Sequence, residues 1–202
     1  ELVMKTAKET AVPFLVGFNR RFSKYAQEAK RIVSKRKNPM LINYVMNAGY
    51  IPSDHWTQTE EGGGRIVGEG CHIFDLFNFF TESRAESISV NRITPHTEYA
   101  SPSDNCVVTV KYEDGSVCTL TYTGQGSKEY EKEFCEIIVD GMILIINDYK
   151  SMHGYGVKVN DLHSATPEKG HYEELEAFYD EIKNGTGYPI PLWQMEQATR
   201  IS

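Results

Sequence analysis

The stretch NCVVTVKYEDGSVCTLTYT, residues 105–123, decides the fold class of this chain of 202 residues. Apolar or aromatic residues occupy alternate positions on both sides of the dipeptide Asp114-Gly115. Alternation with a period of two is typical of a strand with one buried face, and Asp-Gly between two such runs is a strong hairpin signal. The stretch therefore predicts two antiparallel strands joined by a tight turn.

Similar patterns extend in both directions from this hairpin. A second Asp-Gly pair, Asp140-Gly141, joins two more strand-like runs, and consecutive hairpins are typical of antiparallel sheets. The other predicted strands are 41–48, 86–94, 134–139 and 142–147. Apolar residues that recur with the helical period predict helices at 23–36, 65–81 and 170–184, and a last helix that begins near Trp193.

Because the strands run together while the helices flank them, the sequence predicts an α+β fold rather than a doubly wound sheet. We expect a mainly antiparallel, open-faced sheet within residues 36–170, with the three helices packed on one face. Residues 1–9 predict a helix and residues 12–18 a short buried strand, rich in β-branched and aromatic residues. Since residue 1 is Glu rather than Met, and Ile201 and Ser202 stop in the middle of the last predicted helix, we expect the chain to be a fragment, cut at both ends.

Composition and charge exclude several classes of protein. The chain is 40% hydrophobic and 24% charged, as soluble globular proteins are, and its apolar runs fall far short of the ~20 residues of a membrane helix. Residues 1–40 carry a net charge of +7 and the remainder −14, which argues against nucleic-acid binding. The four cysteines form no Cys-x-x-Cys pair, which favours a reducing cytoplasm, and the six histidines predict no metal site.

The helix predicted at 65–81 carries polar residues among its apolar ones. Gly68, His72 and Asp75 share one face, and Glu69 lies one turn before His72. Burying such groups is costly unless they bond one another or face a cavity. Two interpretations remain open: His72 is a hydrogen-bonded core histidine, or it is a general base that a carboxylate orients.

Two other segments allow a functional and a structural interpretation. Arg20 and Arg21 follow directly on the strand predicted to end at Phe18, where ligands of α/β sheets bind, but they also fit a solvated basic face. The glycines at 62–64 precede a helix and so fit an anion cradle. Close backbone packing is the favoured reason for these glycines, because no βαβ unit surrounds them.

Four segments, in this order and spacing, resemble the Gfo/Idh/MocA oxidoreductase family. They are VGFNRRF (16–22), GGGRIVGEGCHIFDL (62–76), YEDGS (112–116) and HYEELEAF (171–178). The resemblance implies that residues 1–18 are the end of an N-terminal Rossmann domain. Residues 19–202 are then the α+β domain that shapes the substrate site, truncated at its C-terminus.

The resemblance also implies roles for individual residues. His72 matches the active-site position of the family, and Glu69 is predicted to orient it because Gly68 stands where many members carry aspartate. The residues predicted to bind substrate are Asn19, Arg20, Asp54, His55, Trp56 and Arg65. Arg20 and Arg21 are predicted to contact the cofactor, whose other ligands lie in the absent domain.

The function implied by the resemblance is oxidation of a secondary alcohol of a sugar, amino sugar or cyclitol. The whole protein would use NAD or NADP, whereas this fragment is expected to bind neither cofactor and to be inactive. We also expect a homo-oligomer formed through the free face of the sheet. The alternative is a non-catalytic module of the same fold that binds a ligand or supports assembly.

Overall fold

A computed structural model describes residues 2–10, 12–97, 99–185 and 187–202, and within these ranges seven strands form one sheet. The strands are β1 (Leu41–Asn47), β2 (Ala85–Arg92), β3 (Asn105–Tyr112), β4 (Val117–Thr123), β5 (Glu133–Val139), β6 (Met142–Asn147) and β7 (Ser151–Tyr155). The helices are α1 (Leu2–Thr10), α2 (Lys24–Val33), α3 (Cys71–Thr81), α4 (His171–Asn184) and α5 (Leu192–Ile201).

The sheet order is β2-β3-β4-β1-β5-β6-β7, and every neighbouring pair is antiparallel except β1 and β4. Both predicted hairpins are present. At the second, Asp140 and Gly141 have φ values of 49° and 77°, which is the positive-φ pair of a type I′ turn. The predicted α+β class and the mainly antiparallel open sheet are confirmed.

One face of the sheet forms the hydrophobic core. Alternate residues of β1, β3, β4, β5 and β6 are buried there, among them Tyr44, Tyr112 and Tyr122. The side chains of α2, α3 and α5 complete the same cluster. The opposite face stays open, and Leu41 there is 52% exposed.

The helix predicted at 65–81 is present in two parts. It begins as a π-helical turn, Ile66–Gly70, and continues as α3. Such wide turns occur often at functional sites, because they displace side chains from regular helical positions. The helix predicted at 23–36 begins as α2 with an N-cap, since the Ser23 side chain accepts a hydrogen bond from the backbone N–H of Ala26.

Two local predictions are wrong. Residues 12–18 are not a strand, because a strand needs a ladder of hydrogen bonds and the described part of the chain gives this segment no partner strand. The helix at 170–184 does not pack its apolar face on the sheet. The outward-facing residues of α4, each more than half exposed, are Tyr172, Leu175, Tyr179 and Ile182, and it is α5 that packs against α3.

Candidate active site

A cleft of about 680 Å³ lies where four segments of the chain meet. They are the 3-10 turn Asn19–Phe22, the loop before the π-helical turn, that turn with the start of α3, and the start of α4. The lining residues include most of the predicted site residues, namely Asn19, Arg20, Trp56, Arg65, Glu69 and His72. Three other residues that line it were not predicted as site residues, namely Lys169, His171 and Glu174.

A buried ionic cluster forms one side of this cleft. Arg20 donates two hydrogen bonds to the Glu133 carboxylate, at 2.7 and 3.0 Å, and Lys169 donates a third at 2.5 Å. The Tyr44 hydroxyl donates a fourth from behind. Burial alone would raise the pKa of Glu133, but the charges and hydrogen bonds of Arg20 and Lys169 outweigh it and hold that pKa at about 2. Arg20 is therefore held in one position.

Glu133 was not predicted as a site residue, although a charged residue at an inward-facing position of a strand could have indicated one. The buried positions of β5 are 133, 135, 137 and 139, so Glu133 falls on the inward face of an alternating strand. A carboxylate at such a position requires a buried cation.

His72 lies in the cleft with its ring edge-on to Phe18, at 5.7 Å between ring centres. Its Nδ1 atom is buried and has no hydrogen-bond partner among the described residues. Burial and then the positive charge of Arg20 lower the pKa of His72 to about 4. The imidazole is therefore neutral at neutral pH, which is the form that accepts a proton.

The predicted contact between Glu69 and His72 is wrong. Glu69 accepts hydrogen bonds from the Tyr122 hydroxyl and from Lys132, each at 2.5 Å, and its carboxylate makes no hydrogen bond to His72 within the described ranges. Burial alone would raise the pKa of Glu69, but these two hydrogen bonds lower it. The helical spacing is as expected, but β4 and Lys132 offer donors that the spacing alone does not reveal.

Glu174, in the first turn of α4, was not predicted as a site residue. It is 7% exposed, and its Oε1 atom has no hydrogen-bond partner among the described residues. Burial and then the negative charge of Asp75 raise the pKa of Glu174 to about 7. In sequence it looks like its neighbour Glu173, and only the packing of α4 on the turn Asn19–Phe22 separates them.

Three predicted ligands lie outside the cleft lining. Arg21 bonds Asp75 through two nitrogens and Gln194 through a third, so it joins the 3-10 turn to α3 and α5 rather than facing a cofactor. Asp54 and His55 are exposed, and the His55 ring caps the next turn by accepting a hydrogen bond from the Thr57 N–H. Buried pairing engages Arg21 and local capping engages His55, and the ligand contacts predicted for Arg21, Asp54 and His55 stay predictions.

Arg65 and the glycine run shape the cleft wall. The Arg65 guanidinium donates to the backbone carbonyls of Ala48 and Gly49, which fixes the start of the π-helical turn against β1. A side chain at Gly62 would meet the Trp56 carbonyl oxygen at 2.4 Å, so close backbone packing explains this glycine. Gly64 has a φ of 85°, which few other residues adopt.

Neither a metal-binding cluster nor a membrane-spanning helix is present in the described residues. They contain no group of three or more His, Cys, Asp and Glu side chains that is placed to hold a metal ion. Among them, no helix has the length and apolar character that crossing a membrane requires.

Comparison with known proteins identifies relatives of this chain. It is 32% identical over 157 residues to an uncharacterized protein, UNK4.17, of Schizosaccharomyces pombe, an alignment that covers 66% of this chain and 38% of the relative. UDP-N-acetylglucosamine 3-dehydrogenase GnnA from Acidithiobacillus ferrooxidans has a similar structure, with a TM-score of 0.76 at 13% identity. A probable dehydrogenase from Thermotoga maritima gives a TM-score of 0.75 at 16% identity.

These alignments cover most of this chain but only part of each known structure. They span 98% of this chain and 62% of the Acidithiobacillus protein, and 99% and 63% for the Thermotoga protein. At these identities the structures share the fold alone. The model of the GFO/IDH/MocA C-terminal domain matches residues 38–143, which is more than half of the chain. The chain therefore belongs to the GFO/IDH/MocA family of oxidoreductases and contains its C-terminal domain.

Proposed function

We propose that this chain is the substrate-binding and oligomerisation domain of an NAD(P)-dependent oxidoreductase that acts on a secondary alcohol of a sugar, amino sugar or cyclitol. The observation that carries the proposal is a neutral imidazole, His72, in a cleft lined mostly by polar side chains. Concave sites with a few converging polar groups are where small ligands bind.

Oxidation of a secondary alcohol removes a hydride from carbon and a proton from oxygen. His72 accepts the hydroxyl proton, because it is present in the cleft as the neutral imidazole, although a pKa of about 4 makes it a weaker base than an ordinary histidine. The positive charge of Arg20, which also lowers the pKa of His72, favours the negative charge that develops on the alcohol oxygen. The hydride acceptor would be supplied by a nicotinamide cofactor when one is bound.

The described residues do not form a dinucleotide site of their own. Such a site needs a glycine-rich turn between a strand and a helix of a βαβ unit, whereas Gly62, Gly63 and Gly64 follow a loop with a 3-10 turn. Cofactor binding is therefore assigned to a part of the protein outside this domain. This domain contributes substrate contacts and the proton acceptor.

The cleft favours a hydroxylated ligand. Its volume of about 680 Å³ fits a hexose-sized ring with a substituent. Trp56 lines the cleft and is 65% exposed, so its indole offers a flat apolar surface for the face of a sugar. The structural likeness to a dehydrogenase of a nucleotide-linked amino sugar supports testing this class first.

The proposal is tested with the natural protein that contains this chain. Oxidation of D-glucose, N-acetylglucosamine, UDP-N-acetylglucosamine and myo-inositol is measured with NAD and with NADP. For any substrate turned over, His72→Ala or His72→Phe should lower kcat by about 100-fold or more, the usual range for loss of a general base. His153→Ala is the matched control and should retain activity, because His153 is exposed on β7 and does not line the cleft. Undiminished turnover in both His72 variants would return His72 to a structural role.

Association through the open face of the sheet belongs to the same proposal, with a second copy of the chain as the partner. Leu41 and Val107 are exposed apolar residues on the open face of this sheet, and exposed apolar patches usually mark interfaces. Sedimentation at micromolar concentration should show a dimer or larger assembly, and Val107→Lys should weaken it. A monomer at that concentration would contradict this part of the proposal.

A further inference from the structure

Three buried side-chain atoms lack a hydrogen-bond partner among the described residues, and two of them belong to the cleft. They are His72 Nδ1 and Glu174 Oε1, and the third is Asn47 Oδ1. Leaving a buried polar atom unpaired destabilises a fold, so such atoms are rare and are often functional. His72 already has a role in the proposed reaction, whereas Glu174 has none.

The other two carboxylates near the cleft are already engaged. Glu133 accepts hydrogen bonds from Arg20, Lys169 and Tyr44, and Glu69 accepts from Lys132 and Tyr122. Glu174 alone among the three has a buried oxygen with free acceptor capacity. A ligand that donates a hydrogen bond at this end of the cleft therefore gains a partner there without breaking an existing contact.

The backbone around Glu174 is tightly fixed. The preceding residue of the helix start, Gly170, has a φ of 84°, and a side chain there would meet the Ser23 nitrogen at 2.4 Å. Asn19 also donates a hydrogen bond to the Lys169 carbonyl, at 2.9 Å. On the opposite side Gly17 leaves room, because a Cβ atom at that position would lie 4.0 Å from Glu174 Oε1. Glu174 is thus a preorganised group beside open space.

We propose that Glu174 binds a hydroxyl group of the ligand and so determines which hydroxyl reaches His72. The inference rests on the proposed function. An anion is disfavoured at this end, since the Asp75 carboxylate also acts on Glu174. A hydroxyl suits either state of the carboxyl group, because it donates to a carboxylate and accepts from a carboxylic acid. The ligand class is a neutral polyol or sugar unit with a second hydroxyl besides the one that is oxidised.

The experiment pairs variants with deoxy substrates in the natural protein. The best substrate among D-glucose, N-acetylglucosamine, UDP-N-acetylglucosamine and myo-inositol is compared with analogues that each lack one hydroxyl. For the parent substrate, Glu174→Ala should lower kcat/KM about 10- to 100-fold, as loss of one hydrogen bond to a charged group does. For one deoxy analogue the same variant should change kcat/KM less than about twofold, because the missing hydroxyl is the one that Glu174 binds.

Two further measurements separate binding from a general structural effect. Calorimetry without cofactor should give a weaker Kd for the parent substrate in Glu174→Ala, and Glu174→Gln should recover part of the affinity. Glu173→Gln is the matched control, because Glu173 is the exposed neighbour, and it should leave every value unchanged.

The outcomes are distinguishable. An equal loss for all analogues, or no loss for the parent substrate, would overturn the role of Glu174 while leaving the proposed oxidation intact. If the natural protein oxidises none of the four compounds and binds none of them, the proposed function fails and the inference fails with it.

Discussion

The two sides of the cleft differ in how completely their charges are paired. At the Glu133 side, Arg20, Lys169 and Tyr44 supply donors to one buried carboxylate. At the Glu174 side, a carboxylate that is buried to a similar extent has an oxygen with no partner among the described residues. The paired side fixes the position of Arg20, and the unpaired side has capacity for a ligand. Similar burial thus serves rigidity in one place and recognition in the other.

The largest expected loss of stability follows from removing the charge of Glu133 on the paired side. Glu133→Gln leaves Arg20 and Lys169 with uncompensated positive charges, and removing one partner of a buried ion pair costs about 3–5 kcal/mol. Urea denaturation at pH 7 should show a loss of that size in the free energy of unfolding. Glu131→Gln, at a half-exposed carboxylate paired with Lys150, should change it by less than about 1 kcal/mol. If Glu133→Gln lowered the free energy of unfolding as little as Glu131→Gln, Glu133 would not be a fully paired buried carboxylate.

A substitution on the unpaired side should instead increase the free energy of unfolding. Glu174 has a folded-state pKa of about 7 against 4.5 for an ordinary glutamate, so the folded chain loses stability as the pH rises from about 4.5 to 7. Glu174→Gln removes this penalty and should raise the free energy of unfolding by about 1–3 kcal/mol at pH 8, with little change at pH 4. Chemical denaturation at both pH values measures the difference.

Glu173→Gln serves as the control for that measurement. Because Glu173 is exposed, its substitution should leave the pH dependence of stability unchanged. An unchanged pH dependence in Glu174→Gln as well would mean that the Glu174 carboxyl ionises as in water, and the contrast between the two sides would disappear.

The smallest expected change in the free energy of unfolding concerns Ser23. This residue follows the turn Asn19–Phe22, which both sides of the cleft share. The Ser23 hydroxyl accepts from the Ala26 N–H at the start of α2 and donates to the Arg20 carbonyl. Ser23→Ala should lower the free energy of unfolding by about 1 kcal/mol, the typical cost of a lost N-cap. Ser34→Ala, which alters an exposed hydroxyl at the other end of α2, should cost less. Equal losses would show that the cap does not hold the Arg20 turn.

The fold was predictable because its signals are local. Alternation around Asp114-Gly115 and Asp140-Gly141 determines each hairpin without reference to the rest of the chain. The parallel pairing of β1 with β4 and the docking of α5 on α3 depend on segments far apart in sequence. The strand predicted at 12–18 failed for the same reason, since pairing needs a neighbour that periodicity does not supply.

The site was less predictable than the fold. Helical spacing placed His72 correctly on a helix at the cleft, but it also paired His72 with Glu69, whose partners come from Tyr122 and Lys132. Which carboxylate is left unpaired depends on tertiary packing. Residues 173 and 174 are both glutamate, and no sequence pattern separates the exposed one from the buried one.

The central position of β1 has a consequence for the speed of folding. β1 pairs with β4 and β5, and its first contact, Leu41 with Val117, joins residues 76 positions apart. The hairpins β3-β4 and β5-β6 close over short loops, so they form early, whereas β1 must wait until both are present. We therefore expect this strand to close the sheet last, although it is the first of the seven described strands to be synthesised. Until then its apolar side chains Ile42 and Met46, both buried in the folded chain, are open to other chains.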